Sequence, residues 1–315
     1  MVLELVSGVA QAYFDLRQLD MQLDIARRTL GSWEESVRIA QARLRQGMIS
    51  RLDADQFEAE RANAAARIAE LERQKGQKEG ELSVLLGRNP ARIPRGQSLT
   101  EQGLPPEVPA GLPSELLQRR PDILRAEQAL AAATARIGVA KAERFPKITL
   151  TGLLGLASPQ LATIGSGAFG TAGFGLAAPL FNAEALGVQQ RAAEAQARQA
   201  LAQYEKTILV AFKEVEDALI AVRTAREQTE AQEAQVGSLR SALHLAELRY
   251  KGGLSNYLDV LTAKRNLFDA ELALTATRRL HLVSIVQLYK ALGGGWAPSD
   301  TALRRGPWTR PAESL

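Results

Sequence analysis

The stretch ITLTGLLGLASPQLATIGSGAFGTAGFGLAAPLFNA, residues 148–183, carries no charged side chain and decides how the rest of the chain is interpreted. It is long enough for a transmembrane helix, which needs about 20 apolar residues. Glycine recurs throughout it, however, and Pro159 and Pro179 interrupt it. Because both residue types weaken helices, we predict two strands here and not a spanning helix.

Apolar side chains alternate with small or polar ones on both sides of the predicted loop, residues 158–170, except that Leu153 breaks the pattern. The apolar face is predicted to comprise Ile148, Leu150, Leu154, Leu156, Phe174 and Leu176. Thr149 and Thr151 fall on the opposite face, and Phe145 and Phe181 flank the pair where an interfacial aromatic belt would lie. One apolar face over about ten residues is typical of a lipid-facing strand of a membrane barrel.

A hairpin of this kind has a consequence for assembly. Two strands alone would leave backbone groups unpaired in lipid, so the hairpin must close with others and the protein must be an oligomer. The alternative that stays open is a soluble hairpin packed on helices.

The chain contains an internal repeat with an offset of 206 residues. Gly47 then falls on Gly253 and Asp53 on Asp259, without a gap. Each copy has the pattern of a long helix, a tight break and a second helix that ends at a leucine–glycine pair. The long helix of the second copy is predicted from about Glu184 to Lys251, on the order of 100 Å at ~1.5 Å per residue. A helix of that length needs a partner along its whole side.

These patterns divide the chain into six segments. Pro121 suits the first position of a helix and Ser114 an N-cap. The helix after Pro121 has a coiled-coil-like seam of apolar and small residues that starts at Ile123. The segments are 1–87 (the end of a first repeat), 88–113 (a proline-rich linker), 114–145 (a helix), 146–182 (the hairpin), 183–296 (helix, break and helix) and 297–315 (a disordered tail).

Composition argues against several other functions. The 39 basic and 35 acidic residues are mixed along the helices, so a nucleic-acid partner is not predicted. There is no cysteine, and His244 and His281 are far apart, so neither a metal site nor a cofactor is expected. No catalytic constellation stands out, and the chain is predicted not to be an enzyme.

Several motifs occur along nearly the whole chain in one order. They are LPSELL (112–117), RRPDI (119–123), AKAERFP (140–146), ITLTG (148–152), PLF (179–181), VAFKEVEDAL (210–219) and RYKGGLSNYLDVL (249–261). In these motifs the chain resembles the TolC-like outer-membrane efflux family, and within it the lipoprotein subunits that serve RND pumps.

The resemblance implies a mainly α fold with a membrane β-hairpin. Long antiparallel helices would form a periplasmic α-barrel, and the strands would contribute to a trimeric outer-membrane β-barrel. The implied function is a passive exit duct of a tripartite efflux system. The implied partners are two further subunits, a periplasmic adaptor protein, an inner-membrane RND pump and outer-membrane lipid. A type I protein secretion duct and a soluble coiled-coil scaffold remain alternatives, and the transported substrate cannot be inferred.

The same resemblance implies an outer-membrane location with an extension into the periplasm. Residues 1–6 lack the features of a signal peptide, and no cysteine is present for lipidation. The chain is therefore expected to be N-terminally truncated relative to the family.

The two breaks would form the periplasmic tips of the duct. The resemblance assigns adaptor contact to Gly47, Met48, Ile49, Ser50, Gly253, Leu254 and Ser255. It assigns a closing network, or gate, to Asp53, Tyr250 and Asp259. A simpler role for each aspartate is helix capping, because Ser50 and Asn256 each stand three residues before one of them.

Overall fold

The computed structural model describes residues 2–102, 119–156 and 167–294. Two compact units divide the chain, and each is described by itself. Unit 1 comprises Met1–Leu112 and Lys213–Leu315, and unit 2 comprises Pro113–Phe212. The predicted N-cap Ser114 and the predicted disordered tail lie outside the described residues.

The described chain is mainly helical, with one pair of strands, as predicted. The elements in chain order are α1 (Val2–Arg45), α2 (Arg51–Leu85), α3 (Pro121–Ala142), β1 (Lys147–Leu156), β2 (Ala168–Ala177), α4 (Ala183–Lys251) and α5 (Tyr257–Ala291). The long helix of the second copy is confirmed as α4, with 69 residues. Within the described ranges, none of the helices combines the length and apolar character that membrane crossing requires.

The internal repeat is visible in the helix ends. An offset of 206 residues carries the last residue of α1 (Arg45) onto that of α4 (Lys251), and the bounds of α2 onto those of α5. Both breaks turn at the predicted glycine, with φ of 71° at Gly47 and 72° at Gly253. In each break the next amide reaches back to the helix end: Met48 N donates to Arg43 O at 2.9 Å, and Leu254 N to Arg249 O at 2.8 Å. Such a bond satisfies carbonyls that the helix end leaves free.

Unit 1 is held together by small apolar clusters along its helices. Leu16 of α1 and Leu82 of α2 are fully buried in one of them, together with Ile93 of the segment that follows α2. A second cluster joins α1, α2 and α5 around Trp33, Phe57 and Tyr257. In this second cluster α5 of the second repeat packs on α1 of the first, so the two repeats meet along α1.

The first part of the proline-rich segment packs against α1 and α2. Arg95 forms ion pairs with Asp20 of α1 and Glu79 of α2, each at 2.7 Å. The Gly96 amide donates to the Tyr13 hydroxyl at 2.9 Å. These contacts attach residues 93–96 to the helix pair.

In unit 2 the strands β1 and β2 pair antiparallel. Ile148 lies opposite Leu176 and Leu150 opposite Phe174, so the two predicted apolar faces coincide. The predicted loop is wrong at its end, because β2 begins at Ala168 and not after Gly170. The reason is that Phe169 continues the ladder opposite Gly155, where a Cβ would lie 2.9 Å from its ring. The earlier part of that loop lies outside the described residues.

Helix α3 of unit 2 begins at Pro121, as predicted. Its predicted seam is the less exposed side of the helix, with Ile123 and Ala140 buried. The Arg120 guanidinium precedes the helix and pairs with Asp122 at 2.6 Å.

Candidate functional site

The two breaks lie side by side in unit 1. We call residues 46–50 the first turn and residues 252–256 the second turn. An open cleft of about 540 Å³, the turn cleft, is lined by residues of both. The contributors from the turns themselves are Gly47, Met48, Ile49, Ser50, Ser255 and Asn256.

The first turn is closed by a capping box. Ser50 Oγ accepts the Asp53 amide at 3.1 Å, and the Asp53 carboxylate accepts the Ser50 amide at 3.0 Å. The capping interpretation is therefore confirmed for Asp53. Its side chain also lines the turn cleft, so capping leaves it within reach of a ligand or partner there.

The second turn is built differently at the equivalent positions. Asn256 is the N-cap residue of α5, but its side chain makes no capping hydrogen bond. Asp259 is exposed, and it does not line the turn cleft. The predicted capping box is therefore wrong in the second copy, where the Asp259 amide donates to the Asn256 backbone carbonyl at 3.3 Å and not to a side chain.

One polar contact joins the first repeat to the second beside the cleft. Arg43 Nη1, in the last turn of α1, donates a hydrogen bond to the Tyr250 hydroxyl in the last turn of α4. The Arg43 guanidinium carbon lies 4.7 Å from the centre of the Tyr250 ring, within the range of a cation–π contact. We call this pair the Arg43–Tyr250 bridge.

An aromatic cluster packs against the tyrosine of the bridge. The Phe57 and Tyr257 rings are stacked with centroids 3.8 Å apart, and Tyr250 meets Tyr257 edge-on at 5.1 Å. Burial raises the pKa of the Tyr257 hydroxyl, so this group stays neutral. The stack thus links α2, α4 and α5 through neutral rings.

Both turns expose apolar side chains to solvent at equivalent positions. Met48 is 69% exposed and Leu254, at the matching position of the second copy, is 75% exposed. Leu52 and Leu258 form a second exposed pair with the same offset. Single exposed apolar residues are common, but a set repeated at two neighbouring turns is a candidate contact surface.

The structure brings together most of the predicted tip residues but not all of them. The Ile49 and Ser255 side chains are half-buried, and neither Gly253 nor Leu254 lines the turn cleft. Arg43, Phe57 and Tyr257 were not predicted, although all three line it. The repeat offered one signal, since Arg43 has an arginine counterpart at Arg249.

In residues 2–102, 119–156 and 167–294, no three histidine, aspartate or glutamate side chains converge so that they could hold a metal ion.

The second candidate surface is the hairpin of unit 2. The six side chains of its predicted apolar face are between 65% and 89% exposed, so no other described residue of the chain covers them. Phe181, beyond β2, is 96% exposed. An apolar face of this size on a two-stranded sheet requires a partner or a lipid environment.

The chain belongs to the outer membrane efflux protein family, whose sequence profile matches residues 1–88 and 112–294. This membership confirms the resemblance carried by the motifs. It also confirms the prediction that the chain is not an enzyme, because the family consists of ducts and not of catalysts.

Similar proteins include one described as a probable efflux pump outer membrane protein, TtgC of Pseudomonas putida, which is 41% identical over 295 residues. The cation efflux system protein CusC of Escherichia coli is 37% identical over 299 residues. Each match covers 93% of this chain, but only 61% of TtgC and 64% of CusC. The chain therefore spans less than two thirds of the length of these relatives.

Solved structures with the same fold include two outer-membrane channels. One is OprN, with a TM-score of 0.84 and 30% identity. The other is the open state of Neisseria gonorrhoeae MtrE, with a TM-score of 0.82 and 33% identity. The matches cover 93% of this chain and 67% and 66% of those chains.

Proposed function

We propose that this chain forms part of an outer-membrane channel subunit, a passive exit duct of a tripartite efflux system. The observation that carries the proposal is the hairpin of unit 2, whose apolar face is uncovered along its whole length. Family membership and the names of the relatives support the same function. A soluble scaffold would instead bury that face against its own helices.

The duct is a homotrimer in this proposal. A single hairpin cannot satisfy the outer edges of its strands in lipid, so hairpins of several subunits must close a common barrel. The helices then continue the duct into the periplasm.

The turn cleft is the proposed periplasmic gate, and the exposed side chains at the two turns are the proposed adaptor contact. Met48, Leu254 and their neighbours offer an apolar surface of the kind that a helical hairpin of a periplasmic adaptor could cover. The Arg43–Tyr250 bridge holds the two repeats together beside that surface. Adaptor binding that separated the repeats would have to break this bridge first.

The inner-membrane partner is proposed to be an RND pump, and this pump is proposed to choose the cargo. Relatives of this chain are named for antibiotic, toluene and cation efflux. Since similar ducts carry such different names, we propose that the duct itself discriminates little among small molecules.

Lipid contact of the hairpin tests the proposal. Leu150 and Thr149 are replaced by tryptophan, one at a time, in the protein purified from membranes and reconstituted with brominated lipids. We expect strong additional quenching for Leu150→Trp and little for Thr149→Trp, because neighbouring residues of a strand point to opposite faces. Equal quenching at both positions, or none at either, would refute a lipid-facing hairpin.

A further inference from the structure

Lys264 of α5 is a nearly buried cation that contacts the helices α1 and α4. Its side chain is only 10% exposed. Its ammonium donates to Ser32 Oγ and Ser36 Oγ of α1, both at 2.9 Å, and lies 5.3 Å from the centre of the Trp33 ring. Glu247 of α4 lies 3.8 Å away. One ammonium group thus connects α1, α4 and α5.

This contact crosses between the repeats but is not itself repeated. The position equivalent to Lys264 in the first copy is Glu58, which is exposed and pairs with Arg61 of its own helix. The contact around Lys264 therefore does not belong to the duplicated framework. It is a feature of the way in which this second copy packs on the first.

The surroundings of Lys264 indicate that it specifies one arrangement of the helices and adds little to the stability of the fold. Burial lowers the pKa of the Lys264 ammonium, and Glu247 and Glu35 offset this only in part. A buried charge of this kind adds little net stability, and its best-attested use is to specify one arrangement among several. The apolar cluster around Trp33 and Phe57 cannot do this alone, because hydrophobic contacts have no direction.

The spacing connects Lys264 to the bridge. Ser36 precedes Arg43 by seven residues on α1, and Tyr257 precedes Lys264 by seven residues on α5. Seven residues are about two helical turns, so each pair lies on one face of its helix. A shift of α5 by one residue along α1, about 1.5 Å, would therefore misplace the hydroxyl acceptors and the aromatic stack together.

We propose that Lys264 is a positioning residue that fixes the axial register of α5 on α1. In that register Tyr257 meets Phe57, and Tyr250 stays within reach of Arg43. The register concerns helices of this chain alone, whereas its consequence for channel opening rests on the proposed function.

The substitution Lys264→Met tests the register. Methionine keeps the apolar stem, and the Ser36 hydroxyl retains its bond to Ser32 O at 2.8 Å, so little is left unsatisfied. The chain has no cysteine, so cysteines at exposed Gln41 and Thr262 can carry unique spin labels. The distance between the two labels is measured by double electron–electron resonance, in protein purified from membranes and diluted with unlabelled protein. In Lys264→Met we expect the fraction of molecules whose label-to-label distance lies outside the main peak of the unchanged protein to rise about three- to fivefold. We expect no loss of thermal stability.

Arg278→Met is the matched control. Arg278 pairs with Glu233 at 2.7 Å, which links α5 to α4 inside the second repeat. Its loss should leave the distances between Gln41 and Thr262 unchanged.

A second test combines Ser32→Ala and Ser36→Ala. This variant leaves the Lys264 ammonium without its two hydroxyl acceptors and should lower the melting temperature. Adding Lys264→Met to that variant should restore the melting temperature but not the narrow distances.

A distance distribution in Lys264→Met as narrow as that of the unchanged protein would overturn the proposal. An equally broadened distribution in Arg278→Met would overturn it too. The proposed gate is judged separately, by conductance in planar bilayers. Broadened distances with an unchanged closed-state conductance would support the register and count against the gate.

Discussion

Asp20 of α1 shows how a half-buried charge is tolerated in unit 1. Its carboxylate meets Arg95 at 2.7 Å, Lys75 at 2.8 Å and Arg17 at 3.0 Å. Burial by itself would raise the pKa of Asp20, but the hydrogen bonds from Arg95 and Lys75 outweigh it and lower the pKa. The carboxylate therefore joins α1, α2 and the start of the proline-rich segment.

We expect Asp20→Asn to lower the free energy of unfolding by about 2 kcal/mol at neutral pH, through the loss of charge-assisted bonds. Because the folded pKa lies below the unfolded value, this stabilisation is complete above the unfolded pKa. It is lost as pH falls through the folded pKa. The difference in melting temperature between the two proteins should therefore shrink below about pH 4.

Asp24→Asn is the control for this prediction, because its ion pair with Arg28 is exposed and should contribute at most about 1 kcal/mol. A difference between Asp20→Asn and the unchanged protein that stayed constant down to low pH would contradict the charge-based explanation.

At the residue scale, local chemistry could be predicted and long-range pairs could not. The capping role of Asp53 follows from Ser50 three residues earlier. The Arg43–Tyr250 bridge and the hydrogen bonds from Lys264 to Ser32 and Ser36 join residues more than 200 positions apart. They depend on how α4 and α5 lie against α1, which only the packing of the whole unit determines.

At the scale of single elements, the hairpin of unit 2 is the part with the clearest division of roles. Its pairing places Leu150 beside Phe174 on the apolar face and Thr151 beside Gly173 on the other. Glycines on β2 receive larger neighbours, since a Cβ at Gly175 would lie 2.7 Å from Thr149 Oγ1. The two faces should therefore respond differently to the same substitution.

We expect Leu150→Lys to impair insertion into lipid vesicles, at a cost of about 2–4 kcal/mol if the residue lies near the bilayer centre. Thr151→Lys, one residue further along the same strand, should insert nearly as well as the unchanged protein. The folded, protease-resistant fraction in vesicles is the measurement. Similar losses for both variants would mean that the strand has no distinct lipid face.

Element boundaries could be predicted where a residue forces them. Gly47 and Gly253 adopt positive φ, and Pro121 opens α3, so the helix ends fall where the sequence indicates. The start of β2 could not be placed in the same way. Ala168 and Phe169 follow a glycine-rich stretch that reads as loop, and only the pairing with β1 extends the strand to them.

At the scale of the whole molecule, duplication explains more than any single motif. An offset of 206 residues superposes helix ends, turning glycines and exposed apolar side chains. The copies differ at the capping box, which only the first copy has, and at Lys264, whose counterpart in the first copy is Glu58. The repeat could be predicted from sequence, but these differences acquire meaning only when the two copies are seen in contact.

The most direct test of the account is conductance in planar lipid bilayers, because it asks both whether the protein is a channel and whether the turns close it. Tyr250→Phe removes the hydroxyl that accepts from Arg43 but keeps the ring on Tyr257. Tyr204→Phe removes a tyrosine hydroxyl elsewhere in the chain and serves as control. We predict discrete, low-conductance channels for the unchanged protein and the control, and a higher conductance for Tyr250→Phe. Protein that inserts without forming discrete channels, or channels that are unaffected by Tyr250→Phe, would contradict a duct gated at the helix turns.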